Sequence, residues 1–318
     1  MKMKKILIII GNLLLLTSLL QAQSNNNPVP GNIPITVVAS AQENVSEGTN
    51  RFIENKLQQI ISQHGLGSAD YYGRFVITTS FVPVTKDIIA GPPQQFSEDL
   101  DVTFYIIDNI DQTIFSSTTI SAKAVDASEE KVLNKAIRSI NVKSPQMTAF
   151  VNEGREKIVN YYISQADRII RTAQSLAQQR NFEAAFYELS AIPQACGEAY
   201  DRALAVGNVI YQEYVDYMCD VNLAKARSAW MAEQNSYGAY EAGEYFSQIL
   251  PDAKCYGSAE ALYKEIKAKV LDDWKFEMKK YNDQISLEQA RIDAWKQVGV
   301  AYGRNQKSDT YNVTWLVR

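Results

Sequence analysis

Histidine and cysteine, which supply many metal ligands and catalytic groups, are scarce in this chain. Its 318 residues include one histidine, His64, and three cysteines, none of them in a C-x-x-C pair. A structural zinc site needs four such ligands at short spacing, so we expect no metal site. His64 precedes Gly65 at the predicted end of a helix, where a cationic side chain suits the helix dipole. We therefore expect a structural role for His64 and no cofactor.

Catalytic motifs are missing as well. A Ser-His or Cys-His mechanism would need His64 as its base, yet no G-x-S-x-G motif is present, and neither is a phosphate loop or G-x-G-x-x-G. Acidic pairs remain, Asp99 with Asp101 and Asp108 with Asp111. We expect a protein that is not an enzyme; the alternative is an enzyme with an acidic site of the glycosidase type, acting on a glycan.

Basic residues are not in excess. Lys and Arg number 32 against 36 Asp and Glu, which gives a formal net charge of -4. Proteins that bind nucleic acid usually carry a cluster of cations that neutralises phosphates. No nucleic-acid partner is therefore expected.

Long apolar runs are confined to the N-terminus. Lys2, Lys4 and Lys5 precede an apolar run at 6–20, and the small residue Ala22 follows it. This order is typical of a secretory signal peptide, so we predict a signal at 1–22 that is cleaved after Ala22. The alternative, a membrane anchor, would need about 20 apolar residues and a charged flank. The mature chain is thus expected to be soluble, without an integral membrane span, and periplasmic or otherwise exported.

The segment after the signal is polar and rich in proline. It reads SNNNPVPGNIP, and we predict a flexible leader at 23–34. No cysteine lies near the cleavage point, so lipid attachment is not expected. Loss of the three N-terminal lysines would take the formal net charge from -4 to -7.

Residues 35–143 show the pattern of an α+β domain. Apolar runs and strict alternation predict strands at 35–40, 74–85, 100–107 and 113–125. An apolar stripe at helical spacing predicts a helix at 52–64, and a second helix follows Asp126, the predicted N-cap. Gly91-Pro92-Pro93 predicts a loop at 88–98. We predict a small antiparallel sheet with two helices on one face.

Five segments of this region carry a resemblance. They are NRFIENKLQQII, RFVITTSF, LDVTFYIID, IFSSTTISAKA and EEKVLNKAIRSI. Their order resembles the periplasmic α/β domain of the curli-secretion lipoprotein, the lipoprotein activators of penicillin-binding proteins and the N-terminal domain of the Tol-system propeller protein. The lipidated cysteine and the long apolar hairpins of a membrane pore are missing. The resemblance implies binding to other envelope proteins, and it implies no pore.

Residues 144–303 are predicted to form an all-α domain. Ser144-Pro145 predicts a helix start, followed by a long helix with a kink at Gly154. Further helices are predicted at 182–192, 198–218, from 222, and at 240–250, with one long closing helix at 258–301. An unrelated helical bundle is the alternative to a repeat architecture.

Two stretches of this domain repeat each other. FEAAFYELSAIP at 182–193 matches YEAGEYFSQILP at 240–251 in its aromatic, Glu, Ala, Tyr and closing Pro positions. Small residues at such positions let helices approach closely, and the pattern resembles tetratricopeptide repeats. The period of 58 residues and the presence of two copies depart from that family. We expect a divergent repeat, which implies protein binding.

The three cysteines, Cys196, Cys219 and Cys255, all lie in the helical part. A helix at 198–218 would hold Cys196 and Cys219 far apart, whereas a helix out and a helix back return Cys255 toward Cys219. We predict a Cys219–Cys255 disulfide and a free Cys196, with three buried thiols as the alternative.

Aromatic residues supply the candidate partner-binding positions: Tyr187, Tyr240, Tyr245, Tyr311 and Trp315. Core packing is the alternative role for most of them. The tail at 304–318 alternates apolar and polar residues at its end and predicts a strand that needs a sheet edge; a loosely ordered terminus is the alternative.

Taken together, these patterns predict an exported, non-enzymatic scaffold or regulator that binds other proteins of the bacterial envelope. The further alternative is a structural subunit of an envelope complex, paired through its C-terminal strand. The identity of the partner and the oligomeric state do not follow from the sequence.

Overall fold

The computed structural model describes residues 33–39, 42, 45–66, 74–280, 287–306, 313 and 316. The predicted signal at 1–22 and most of the predicted leader lie outside these residues, as do Tyr311 and Trp315. The predicted α+β class is confirmed, since a small sheet with helices on one face is followed by a helical region.

Four strands form one sheet in the order in which they occur in the chain. They are β1 (Ile35–Val37), β2 (Phe75–Ile89), β3 (Gln95–Asp108) and β4 (Thr113–Asp126). The β2–β3 and β3–β4 pairs are antiparallel, as predicted, while β1 pairs parallel with β2. This difference arises because helix α1 (Glu47–Gln63) lies between β1 and β2 and forms a crossover connection, which parallel neighbours require.

The hairpin between β2 and β3 is longer than predicted. The loop expected at 88–98 is wrong, because β2 continues to Ile89 and β3 begins at Gln95. The residues on either side pair across the hairpin, Lys86 with Glu98 and Ile88 with Phe96, so the Gly-Pro-Pro turn needs only residues 90–94. A bulge between Pro83 and Thr85 interrupts β2 beyond the three residues that pair with β1, where one side of β2 is an open edge, and bulges commonly blunt such edges.

Three helices cover one face of the sheet, where two were predicted. They are α1, α2 (Glu129–Ser139) and the first half of α3 (Pro145–Gln178). The additional helix was assigned from its sequence to the helical domain, but its buried side chains Met147, Phe150 and Ile158 join the core under the sheet. Two further sheet residues, Leu100 and Ala122, pack against α2 in a small separate cluster.

Serine side chains cap all three of these helices. Ser46 accepts a hydrogen bond from the N–H of Thr49, and Ser144 accepts one from Met147, as the Ser-Pro start predicts. The predicted cap Asp126 is wrong: Ser128 caps α2, because its hydroxyl accepts from the N–H of Lys131.

Helix α3 runs unbroken through Gly154, and the kink predicted there stays a prediction. A Cβ at that position would lie 2.7 Å from the Oγ of Ser116 and 2.8 Å from the Cδ1 of Ile106. The glycine therefore serves the close approach of α3 to the sheet.

The second half of α3 packs into the helical region. This region contains α4 (Phe182–Leu189), α5 (Glu198–Ala232), α6 (Ser236–Phe246), α7 (Tyr256–Val270) and α8 (Leu287–Gln306). The two helices predicted at 198–218 and from 222 are one helix, α5, since no Gly or Pro interrupts residues 208–232. One cluster of buried residues continues from the sheet through α3 to α8.

The predicted closing helix at 258–301 is wrong, because it is two helices. Helix α7 ends at Val270, Leu271 has a positive φ of 54°, and residues 274–280 are without regular structure. Trp274 and Phe276 of this segment pack on Phe246 and Tyr263, so aromatic burial replaces a continued helix.

Within the predicted tail at 304–318, residues 304–306 end helix α8, and Val313 and Leu316 are the other residues described. Val313 is buried against Val76 and Ile107, on the face of the sheet opposite the three helices, and Leu316 lies beside it. The N–H of Leu316 donates to the carbonyl of Val313 at 3.1 Å. The rest of the predicted tail strand lies outside the described residues.

Candidate functional site

An open groove separates the last turns of α5 from α6. Its volume is about 440 Å³. Small residues of both helices form the floor of the groove, namely Ala224, Ser228, Ala232 and Gly238. Two tyrosines, Tyr237 and Tyr245, line its sides. Such concave, partly apolar surfaces are the usual places for a ligand or a partner segment.

A tight turn sets the close spacing of the two helices. The side chain of Asn235 caps α6 by accepting hydrogen bonds from the N–H groups of Tyr237 and Gly238. A Cβ at Gly238 would lie 1.7 Å from the carbonyl oxygen of Glu233 and 3.3 Å from that of Ala229. Only glycine fits there, so this residue is required for the closed end of the groove.

A disulfide joins α5 to the segment that follows α6. The predicted pair, Cys219 and Cys255, is bonded, with a Cα–Cα distance of 5.9 Å, and Cys196 is free and buried. Asp216 lies one turn before Cys219 and accepts hydrogen bonds from the backbone N–H of Lys254 and the amide of Gln212. The two helices are therefore fixed at both ends of their contact.

Large side chains stand exposed on the two helices that form the groove, although among Tyr237, Tyr240 and Met231 only Tyr237 lines the groove itself. Tyr237 is 61% exposed, Tyr240 is 62% exposed and Met231 is 68% exposed. Tyrosine and methionine are enriched where proteins contact each other, because they offer much contact area and adapt to the partner.

The groove is electrically asymmetric. Glu233 and Glu241 lie at the Asn235 end, where α5 also ends, and the last turn of α5 contains no basic residue. The C-terminal carbonyls of α5 carry partial negative charge, but α6 begins with partial positive charge at the same turn, so the two carboxylates provide the net charge at this end. At the other end, the Nζ of Lys225 lies 5.8 Å from the ring centroid of Tyr245.

The predicted binding tyrosines fall in different places. Tyr245 lines the groove and Tyr240 is exposed on α6, beside Tyr237. Tyr187 lies elsewhere, in the contact between α4 and α8, with its ring centroid 5.9 Å from that of Tyr302. Tyr187 is half-buried in this contact, and burial raises its pKa. Tyr311 and Trp315 lie outside the described residues.

Sequence reasoning missed most of the groove. Its floor residues Ala224, Ser228 and Ala232 recur every four positions, which places them on one helix face. An exposed stripe of small residues is a signal that the sequence does contain, but the stripe becomes a groove only when α6 lies beside it.

The acidic residues at Asp99 and Asp101 are held by neighbours on the sheet. Asp99 accepts from the hydroxyl of Thr85 and from Lys123, and these hydrogen bonds lower its pKa. Asp101 accepts from Ser121. A glycosidase acid needs a raised pKa, and the pKa of Asp99 moves the other way.

Asp108 is fully buried at the end of β3. Its carboxylate accepts from the Nε of Arg74 at 2.6 Å, from the hydroxyl of Tyr162 at 2.5 Å and from the N–H of Ile110. Asp111 pairs with the same arginine at 2.5 Å. Burial and the neighbouring carboxylate raise the pKa of Tyr162. This cluster ties the sheet to α3, and His64 is separately placed as the C-cap of α1.

Among the residues that the structure describes, no group of three or more His, Cys, Asp or Glu side chains is arranged to hold a metal ion. None of the helices in the described ranges has the length and apolar character needed to cross a membrane.

Comparisons with known proteins give slight likenesses. No protein-family model matches the chain, and no curated protein matches it. A minor lipoprotein from Acinetobacter baumannii is 14% identical over 40% of this chain and 91% of its own, with a TM-score of 0.23. A putative lipoprotein from Caulobacter crescentus CB15 is 12% identical over 38% of this chain and 82% of its own, with a TM-score of 0.21. Likenesses at this level carry no functional argument, and the resemblances to the α/β envelope domain and to tetratricopeptide repeats stay predictions.

Proposed function

We propose that this chain is an exported, non-enzymatic binding protein of the bacterial envelope, which holds a segment of another protein in the groove between α5 and α6. The observation that carries the proposal is the groove itself, with its small floor and its exposed tyrosines. The signal-like N-terminus and the disulfide support export, since disulfides persist in oxidising compartments.

The residue types around the groove favour protein binding. Tyr237 and Tyr240 are rigid, amphipathic rings that lose little conformational entropy when a partner covers them. The floor lets a partner backbone approach closely, because alanine and serine project only a short distance from α5. Packing at such distances is what gives an interface its affinity.

A groove-filling substitution tests this proposal. A photo-crosslinking amino acid at Ala232 of the tagged, full-length protein should trap a partner in intact cells. Ser228→Trp fills the floor of the groove and should abolish the crosslink. Ser164→Trp is the matched control, because Ser164 is also exposed on a helix and also donates its hydroxyl to a backbone carbonyl of the preceding turn.

The outcomes separate clearly. A crosslinked protein that disappears in Ser228→Trp and remains in Ser164→Trp supports the binding function. If no protein is trapped, or if both variants trap it equally, the proposal is wrong. Export has its own measurement, since the intact mass of the purified native protein should correspond to a chain that begins at Gln23.

A further inference from the structure

We propose that the occupant of the α5–α6 groove is a basic segment, whose lysine or arginine lies at the end formed by Glu233 and Glu241. This inference rests on the binding function proposed above and adds the chemistry of the partner. It is carried by charge complementarity: one end of the groove concentrates negative charge beside exposed aromatic rings.

Neither Glu233 nor Glu241 forms an ion pair within the described residues, and Glu233 accepts a hydrogen bond from the neutral amide of Asn235 at 3.3 Å. Lys269 is the cation placed beside this end, and its Nζ donates to the side chain of Gln234 at 3.1 Å. Helix α5 ends at Ala232 without a basic residue in its last turn, while α6 begins at Ser236 at the same end, so the two helix dipoles offset each other and the carboxylates carry the charge. An incoming cation would pair with Glu233, with Glu241 or with both.

The tyrosines add a second preference for a cation. Tyr237 and Tyr245 line the groove, and an ammonium or guanidinium group is attracted to the face of a tyrosine ring. The chain already shows this interaction at the opposite end, where Lys225 lies over the ring of Tyr245. Because Lys225 would repel a second cation there, the partner's basic residue is directed to the Glu233 end.

The floor of the groove determines which residue types can lie next to the partner's basic residue. Ala224, Ser228 and Ala232 leave room for a backbone to lie along α5, so the neighbouring residues of the partner are small or apolar. The expected occupant is a short segment with one apolar face and a basic terminus. A second copy of this chain is the competing occupant, and the test below includes it.

Two fluorescein-labelled synthetic peptides serve as probes. Both contain fourteen residues with an alanine and leucine face; one ends in two lysines, and the other ends in two glutamates. Fluorescence anisotropy with the full mature protein should show binding of the lysine peptide alone, weakened by 0.5 M salt. Glu233→Lys/Glu241→Lys should reduce its affinity about tenfold.

The control variant changes the net charge equally at another place. Glu54→Lys/Glu156→Lys reverses two exposed acids on α1 and α3, and it should change the affinity less than twofold. Thermal melting of both variants establishes that they are folded. The inference is overturned if the lysine peptide does not bind, if both peptides bind equally, or if the control variant weakens binding as much as the groove variant.

Failure of this inference can be told from failure of the binding function. If Ser228→Trp abolishes the photo-crosslink while Glu233→Lys/Glu241→Lys preserves it, the groove binds a partner whose chemistry is not basic. If sedimentation shows a dimer that Ser228→Trp dissociates, the occupant is a second copy, and the basic segment is excluded.

Discussion

At the scale of single residues, the buried charge at Asp108 is the feature with the largest energetic consequence. Its carboxylate receives hydrogen bonds from Arg74, Tyr162 and its own turn, so the sheet and α3 share one polar contact. Removal of Asp108 from this cluster is costly, because Arg74 stays largely buried with one counter-charge fewer and the hydroxyl of Tyr162 loses its acceptor.

We expect Asp108→Ala to lower the free energy of unfolding by about 3–5 kcal/mol. The arginine would keep only Asp111, and the hydroxyl of Tyr162 would lose its acceptor. Asp101→Ala, on the same strand and partly exposed, should cost less than about 1 kcal/mol. Urea denaturation of both variants measures the difference; equal losses would contradict the importance of burial.

Cys196 gives a prediction about alkaline pH. Burial raises the pKa of its thiol from 9.0 to about 11. The folded state therefore retains the proton longer than the unfolded state, and stability from this residue is fully present below about pH 9 and is lost as the pH rises toward 11.

The loss between these pH values should amount to no more than about 3 kcal/mol. Tyrosines titrate in the same range, so the measurement is the difference between the native protein and Cys196→Ala. The two unfolding curves should converge as the pH rises from 8 to 11. Curves that stay parallel would show that the thiol does not ionise differently on folding.

At the scale of secondary structure, local signals identify elements and tertiary contacts decide how far they extend. Ser144-Pro145 predicts the start of α3, and alternation predicts the cores of β2, β3 and β4, because caps and periodicity are local properties. The ends that were missed depend on distant residues. The extension of β2 to Ile89 depends on pairing with β3, and the break after α7 depends on the burial of Trp274.

The sequence predicts only part of the groove, because the groove also depends on contacts between residues that are distant in the chain. Of the two tyrosines that follow from the repeat at 240–251, Tyr245 lines the groove and Tyr240 does not, while the floor of α5 has no aromatic signal and needs α6 beside it. The disulfide pair was found because helix lengths alone constrain which cysteines can meet.

The close approach of α3 to the sheet at Gly154 can be tested by comparison with a glycine that makes no close contact, Gly257. Gly154→Ala should destabilise the protein by about 1–3 kcal/mol, because the new Cβ would overlap Ser116 and Ile106 on the sheet. Gly257→Ala, in the first turn of α7 with nothing within 4 Å, should stabilise it by up to about 1 kcal/mol. Chemical denaturation that gives both variants the same sign would contradict this account.

At the scale of the whole molecule, the disulfide reduces the conformational entropy of the unfolded chain. Cys219 and Cys255 are 36 residues apart, so closing this loop should contribute about 4 kcal/mol in the chain-entropy model. Cys219→Ala/Cys255→Ala should lose about that amount and should not respond to dithiothreitol, whereas the native protein should lose stability when it is reduced. A reduced native protein with unchanged stability would contradict the prediction.

Helix α3 has a consequence for any attempt to divide the protein. A fragment that begins at residue 144 would present Met147, Phe150 and Ile158 to water, and a fragment that ends at 143 would leave the sheet without its third cover. Each fragment would expose an apolar surface through which copies can associate, so expression of either half alone should yield aggregates. The practical unit for crystallisation or binding studies is therefore the whole mature chain.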